Sequence, residues 1–502
     1  MTGDTRRAPP VRQTPPMPDQ SLRSVLAMFE DAGQLRRISE PVSARYELSA
    51  MLAASDGGPA LLFESVDGSQ MPVVGNLLVS RERIAAALGT TVAGIQERML
   101  GALAAPVAPV EVATAPCQQV VVDDPDLARL PVPWFFEHET GPYVTAGAIV
   151  ARAVGGSDSG AANLSIARVK PLGGSRAMVG IAPNHHLSVL GRRAAERGET
   201  LPIAVTIGNH PAVLLAACLY LELGDDELRH AGGLLGEPVG VARTADGLAV
   251  PAECEIVLEG RLDYRELVPE GLVSEFHGMY EDYGSGPVVT FQRMTTRRDP
   301  IYQAIEPGRH REHVLLGGVA IAAGLMAELR PVVPAVRAVA VPEGGAGRLS
   351  AVIALDRSAR PGSAQRAMFA VWASVSLIRT VTVVDEDVDP WDHEQVEWAR
   401  TAYARPDRDL LIVPGGAADR AEPLELHGRV AKLGIDATRK QADRADHRPA
   451  APPPEAVAAA RRRLENDQAP ALPASDGSGS SNRTPARSAA NRAPSSSPST
   501  PP

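Results

Sequence analysis

Residues 269–278 read PEGLVSEFHG, with Glu270 and Glu275 five apart and bracketed by Pro269, Gly271 and Gly278. That spacing suits neither one face of a helix nor one face of a strand. On a surface two such carboxylates cost little. In a pocket they repel, and burial raises the pKa of at least one. A neighbouring arginine would hold one ionised and leave the other to carry a proton, although no periodicity identifies that arginine.

Three further stretches carry residues of chemical use. In ANLSIARVK, Asn163 and Ser165 share one face of a strand, and Arg168 falls on the other unless a bulge re-aims it. By pattern alone this is a half-buried strand with a surface arginine. In APNHHLSVL, His185 and His186 stand at a strand-to-helix junction, where free N–H groups converge on anions. Paired loop histidines are more often surface or capping residues than metal ligands. In LGDDELRHAGG, Asp225, Asp226 and Glu227 precede an AGG turn, and such a run reads first as a solvated helix start. A set of Asn, His and Glu would nevertheless suit a hard or borderline divalent ion, not a thiolate zinc site. There is no GxGxxG, GxSxG or HExxH, and the glycine turns YGSGP (283–287) and VPGGAA (413–418) lack a Walker lysine.

The elements that must position these residues lie in a chain of 502 residues, long enough for two or three domains. A formal charge of −10 gives no general attraction to nucleic acid or an anionic membrane, so neither is expected as a partner. Cys117, Cys218 and Cys254 are far apart in sequence, which fits a reduced, cytoplasmic compartment and no disulfide framework. The arginines near the start have no apolar run behind them, and apolar stretches such as 212–223 are too short to span a bilayer.

Residues 1–20 read as a disordered proline-rich lead. From 21 to 114 a helix capped by Ser21, strands at 60–66 and 72–78, and a capped helix at 80–89 predict an α/β domain. From 115 to 305 the chain is β-rich and glycine-punctuated, with helices expected at 186–198 and 211–222, so an antiparallel or barrel-like sheet is predicted. From 306 to 445 a helix at 311–330, a strand–helix–strand unit (348–356, 363–378, 380–390) and a helix at 393–404 with Val396 and Trp398 near a core predict α/β again. One more helix is expected within 446–468, as a docking or oligomer arm, and 469–502 reads as a disordered tail.

Taken together, NLSIAR, NHHL, the DDE before AGG, VPAECEIVLEG, PEGLVSEFHG and VVDEDVDPWDHEQVEWA resemble the UbiD family of prenylated-FMN-dependent decarboxylases over residues 22–440. The resemblance implies a mixed α/β, α+β fold, with a central flavin-binding split β-barrel flanked by α/β domains. It implies a metal and phosphate site at Asn163, His186 and Glu227, holding Mn²⁺ with K⁺ close by. Ser165, Ala217 and Cys218 are implied beside the cofactor. Arg168, Glu270 and Glu275 would be catalytic, with Glu270 pairing Arg168 and Glu275 moving the proton at a raised pKa. Arg379 stands where many relatives carry a cofactor-site lysine, and Leu272 and Val273 replace a PFGE-like segment.

The implied activity is reversible non-oxidative decarboxylation of a small α,β-unsaturated or aromatic carboxylic acid through a covalent substrate–prenylated-FMN adduct. The implied partners are a flavin prenyltransferase that supplies the cofactor and further copies of the chain, as a homodimer or homohexamer. Composition and resemblance together are compatible with specialised metabolism, such as trimming a polyketide-derived acid, and quinone biosynthesis or aromatic degradation fit as well. A flavin oxidoreductase and a non-catalytic flavin-binding or assembly protein are the alternatives.

Overall fold

The structure, a computed structural model, describes residues 19–67, 69–155, 162–440 and 450–467. Of the expected disordered lead, Asp19 and Gln20 are described, and Gln20 is buried with its amide donating to Pro238 O at 2.9 Å. Order therefore begins before Ser21. The expected tail at 469–502 lies outside the described residues. Ser21 caps helix Leu22–Asp31 by accepting from Ser24 N–H, and the helix buries Leu22, Val25, Leu26 and Phe29. Strands Leu35–Ile38, Ala60–Phe63 and Val73–Gly75 form a sheet whose fourth member, Tyr302–Gln303, comes from far along the chain.

The middle of the chain supplies β1 (Ala148–Arg152), β2 (Ala162–Ile166), β3 (Arg168–Gly173), β4 (Arg176–Gly180), α1 (His186–Glu196) and β5 (Leu201–Ile207). It continues with α2 (Pro211–Ala217), α3 (Glu227–Leu235), β6 (Ile256–Pro269), β7 (Leu272–Ser274), β8 (Tyr280–Asp282) and β9 (Ser285–Thr296). One eight-stranded sheet runs β2-β1-β5-β6-β9-β4-β3, with Val120–Asp123 added beside β9. Its two end strands, β2 and β3, are separated in sequence by Ala167 alone. The sheet must therefore curl until its ends adjoin, and the ladder stays open there. That is the expected split barrel.

Two local expectations change. The helix expected over 211–222 stops at Ala217, with Cys218 as its C-cap. The AGG of residues 231–233 is no turn but lies inside α3. There the missing side chains let other backbone close in: a Cβ on Gly232 would stand 2.7 Å from Val107 O, and one on Gly233 2.8 Å from Ala102 Cα.

The C-terminal part begins with α4 (Arg311–Val332) and builds a five-stranded sheet in the order Val336–Ala340, Ser350–Leu355, Thr380–Asp385, Arg429–Asp436, Leu410–Ala417. Helix Ser363–Ser374 is the crossover between two parallel strands and ends four residues before the expected limit at Ile378. In helix His393–Tyr403, Val396 is buried as expected but Trp398 is 47% exposed. α4 also corrects the reading that no stretch is long and apolar enough to cross a membrane. Its 22 residues are so by length and composition, and 72% of the apolar window is buried inside the protein, which makes it a core helix. Cys117, Cys218 and Cys254 are all free thiols. Beyond Lys440, the described residues of the second unit form helix Pro454–Asp467.

The N-terminal layer is bolted to α4 by buried acid groups. Glu312 is fully buried, and its Oε1 accepts from the N–H groups of Leu77 and Leu78, both at 3.0 Å. Glu306 is 4% exposed, accepts from Ser49 Oγ at 3.3 Å, and is pushed up by burial to about 8 from an ordinary 4.5. Between those two values the unfolded chain sheds a proton that the folded chain keeps. Stability from this group is therefore full below the lower value and falls as pH rises towards the upper. Glu306→Gln is expected to flatten that slope, gaining on the order of 4 kcal/mol over the parent at pH 8 and little at pH 5. Urea unfolding at both pH values checks it, and parallel pH slopes would contradict it.

Candidate active site

The spacing of Glu270 and Glu275 follows from a hairpin. Glu270 comes just after the long strand β6, and Gly271 turns the chain with φ of +77°, a conformation that favours glycine. β7 then pairs with β8, and Glu275 opens the connecting turn, where its N–H donates to Met279 O at 3.0 Å. The two carboxylates thus stand at the two ends of β7. Neither helical nor strand periodicity applies to them.

The arginine is Arg168. It is not re-aimed by a bulge: the strand breaks at Ala167, and Arg168 opens β3 in register with Gly180 of β4. Its Nε donates to Glu270 Oε1 at 3.0 Å and its Nη2 to Glu270 Oε2 at 3.2 Å, a two-pronged pair that fixes both planes. Gly180 makes room for it. A Cβ there would stand 2.5 Å from Glu270 Oε1 and 3.0 Å from Arg168 Nη2. Glu270 is held through its main chain as well, its N–H donating to Gly284 O at 2.8 Å while its carbonyl accepts from Lys170 Nζ at 2.8 Å and Thr140 Oγ1 at 2.7 Å.

Glu275 lies on the other side of the guanidinium, with Oε2 at 3.8 Å from Arg168 Nη1. Its Oε1 accepts from Phe276 N–H at 3.0 Å and its Oε2 from the Tyr283 hydroxyl at 2.9 Å. Burial pushes the Glu275 carboxyl up, but the charge of Arg168 and the Phe276 N–H outweigh it, so the group sits below the usual carboxylate range. The raised pKa expected from sequence is not found; at rest Glu275 is ionised. Burial also tends to lower Arg168, and the two carboxylates overcome that and keep it protonated. The Tyr283 phenol is pushed up by burial and by the charge of Glu275, and it keeps its proton.

A second group forms where β2 meets α3. Asn163 and Ser165 share a face as expected. Asn163 Nδ2 donates to Glu227 Oε1 at 3.0 Å, and Leu164 N–H donates to Glu227 Oε2 at 2.7 Å. Glu227 is no solvated helix start: it is 3% exposed, and burial pushes it up to about 7 against those two donors. His186 is the first residue of α1. Among the described residues no group of three or more His, Cys, Asp or Glu is placed to hold a metal. Any ion at Asn163, His186 and Glu227 would therefore rely on the asparagine oxygen as its third ligand.

Both groups open into one cavity of about 540 Å³. Asn163, Ser165, His186 and Glu227 line it together with Arg168 and Glu275, and Ala217 and Cys218 close one side. Burial pushes the Cys218 thiol up to about 11, so it is a packing group and no nucleophile. Glu270 lies behind Arg168, outside the lining.

Family profiles cover most of the chain in consecutive blocks: 3-octaprenyl-4-hydroxybenzoate carboxy-lyase N-terminal domain over residues 26–103, Rift-related domain over 108–310, and C-terminal domain over 314–437. The chain belongs to the UbiD family. It is 33% identical over 419 residues to an anhydromevalonate phosphate decarboxylase of Methanosarcina mazei, covering 83% of this chain and 96% of that one. Among solved structures, the UbiD-class enzyme HmfF from Pelotomaculum thermopropionicum in complex with FMN superposes with a TM-score of 0.83 at 36% identity, covering 87% of this chain and 98% of the other. An evolved dimeric form of HmfF in complex with prFMN superposes at 0.79, also at 36% identity, over 86% and 97% of the two chains. UbiD enzymes are carboxy-lyases, and this chain is classed with them.

Of the residues expected at a UbiD site, Arg379 is not brought to the cavity; its guanidinium pairs with the buried carboxylate of Glu422. Leu272 is 41% exposed at the surface of the hairpin, and Val273 is fully buried beneath it. Sequence reasoning missed Tyr283, which was visible only as the start of a glycine turn. It also missed His313 and Arg348, which come from the C-terminal part and have no spacing relation to the rest. Gly180 carried no signal at all. Gly180→Ala is expected to part Arg168 from Glu270 and lower carboxy-lyase turnover by about a hundredfold with the fold retained, on the scale of losing an oriented charge pair. Circular dichroism and steady-state kinetics check it; unchanged turnover would remove the pair from the mechanism.

Proposed function

We propose that this protein carries out the non-oxidative decarboxylation of a small α,β-unsaturated or aromatic carboxylic acid, reversibly, with prenylated FMN and Mn²⁺. The observation that carries this reading is the cavity in which Arg168, locked to Glu270, faces Glu275, while Asn163, His186 and Glu227 stand on the same lining. The residues fit the cofactor. Among the described residues, Glu227 is a buried carboxyl with no cation partner, and His185 Nδ1 is a buried polar atom with no hydrogen-bond partner at the same cavity. Asn163, His186 and Glu227 would hold the divalent ion, and the relatives with bound FMN and prFMN support the flavin part of this reading.

When bound, prenylated FMN supplies the electron sink that lets CO₂ leave an sp² carbon. The protein supplies orientation and the proton. Arg168 presents its charge towards the reacting carboxylate while Glu270 prevents it from turning away. Glu275 delivers a proton to the carbon vacated by CO₂, or removes it in the reverse direction. Since Glu275 rests ionised and Tyr283 keeps its own proton, Glu275 must draw that proton from water in each turnover, with Tyr283 aiming the carboxylate.

The decisive experiment is co-expression with a flavin prenyltransferase, followed by an absorption spectrum and cofactor mass of the purified protein and assay of unsaturated acids for CO₂. Bound prenylated FMN with CO₂ release is the expected result; no flavin after anaerobic handling with Mn²⁺ supplied would overturn it. Glu275→Gln is expected to keep flavin and metal but lose roughly a hundredfold or more in kcat, the scale of a lost general acid. His186→Ala is expected to lose Mn²⁺ and flavin together, read by metal analysis and absorbance, and unchanged loading would remove it from the clamp.

A further inference from the structure

The lining of the cavity contains two arginines, and only one is neutralised. Arg168 faces Glu270 and Glu275. Arg348, from the segment just before strand Ser350–Leu355, makes no ion pair among the described residues, and its Nη1 is buried without a hydrogen-bond partner. Its guanidinium lies over the Phe276 ring at 5.0 Å, next to Glu275 in sequence. Gly317 on α4 lets it lie flat, since a Cβ there would stand 2.8 Å from Arg348 Nη2 and 2.9 Å from Cζ.

The carboxylates on the lining are accounted for. Glu227 accepts from Asn163 and Leu164, Glu275 faces Arg168, and Asp419 accepts from Ala421 N–H at 3.0 Å. His313, on the same lining, has Nδ1 at 3.0 Å from Gly308 O, so in the neutral ring Nδ1 carries the hydrogen; burial holds its pKa down to about 4. It contributes no positive charge near neutrality. An unpaired guanidinium inside a pocket is a receptor for a planar or tetrahedral anion.

We infer that Arg348 receives a second anionic group of the substrate, a carboxylate or phosphate at the end remote from the carboxylate that leaves. The substrate class narrows accordingly to unsaturated acids with two anionic ends. This rests on the decarboxylase reading, and it makes Arg348 a specificity-determining residue seated over the Phe276 ring.

The test uses the full chain co-expressed with a flavin prenyltransferase. Sorbate and trans,trans-muconate share one dienoic skeleton and differ in a methyl group against a second carboxylate; anhydromevalonate phosphate carries a phosphate instead. Arg348→Gln is expected to raise KM for the dianionic acids by about tenfold or more, the scale of one charge-assisted pair, with sorbate kinetics and flavin content unchanged. A larger loss for the phosphate ester than for muconate would assign the receptor to phosphate, and the opposite to carboxylate. Gly317→Ala, which displaces the guanidinium, is expected to act in the same direction. Calorimetry with adipate and hexanoate, which are not turned over, reads the receptor independently: Arg348-dependent preference for adipate, even with no CO₂ released from any acid, would uphold the receptor while removing the decarboxylase reading. Equal losses on sorbate and muconate, or loss of flavin from Arg348→Gln, would overturn the inference, the latter by assigning Arg348 to the phosphate of the cofactor.

Discussion

A guanidinium inside a protein calls for a counter-charge, from the chain or from a ligand, and at Arg168 the chain supplies it and arranges the site around the pair. Removing one member of a buried ion pair typically costs about 3–5 kcal/mol, because the other charge is stranded. Glu270 is therefore fixed by its carboxylate, its N–H and its carbonyl at once. Around the pair the chain gives up ordinary features: the strand breaks at Ala167, Gly180 has no side chain, and Gly271 takes a left-handed turn. The open edge of the barrel is thus where β2 ends and β3 begins, and both halves of the site hang from it. Asn163 and Ser165 look out from one side of Ala167 and Arg168 from the other.

The same edge separates two electrostatic regimes within one cavity. On the β3 side, Arg168 keeps Glu275 ionised despite burial. On the β2 side, Glu227 has only amide donors, and burial raises it to about 7. Two carboxyls lining one volume are pushed in opposite directions because one has a cation and the other lacks one. In the mechanism we propose, that contrast divides the labour between Glu275 as proton carrier and Glu227 as a ligand for a positive charge.

Much of this was legible in the sequence where function is written in irregular motifs. The order NLSIAR, NHHL, DDE, PEGLVSEFHG pointed to the family, and family membership pointed to the central sheet, which periodicity alone had left as antiparallel or barrel-like. What sequence could not give was direction. Strand alternation put Arg168 on the wrong face because the break at Ala167 has no signature; a lone alanine between two strands looks like continuity. The sign of the Glu275 shift was equally hidden, since burial raises a carboxyl and it takes the charge of Arg168 at 3.8 Å, with the Phe276 N–H beside it, to reverse that. Arg379 was assigned by its place before a strand, yet Glu422, absent from any motif, claims its charge.

Tyr283 shows how far Glu275, the proton carrier of the proposed mechanism, depends on the rest of the chain. Its hydroxyl aims Glu275, and its ring has two cations over it, Arg168 at 5.5 Å and Arg420 at 4.2 Å. Each such contact contributes about 0.5–2 kcal/mol, depending on how far it is desolvated. Arg420 lies just beyond the strand Leu410–Ala417 and also donates to Ile181 O at 3.2 Å, beside the end of β4. The C-terminal sheet thereby reaches over the barrel edge and holds the phenol that orients the carboxylate. Displacing that arginine would leave Glu275 with the Phe276 N–H and the distant charge of Arg168, and its aim would relax. The aim of the Glu275 carboxylate is therefore set jointly by the barrel and by a residue of the C-terminal part, and in the mechanism we propose that aim is the geometry of proton delivery.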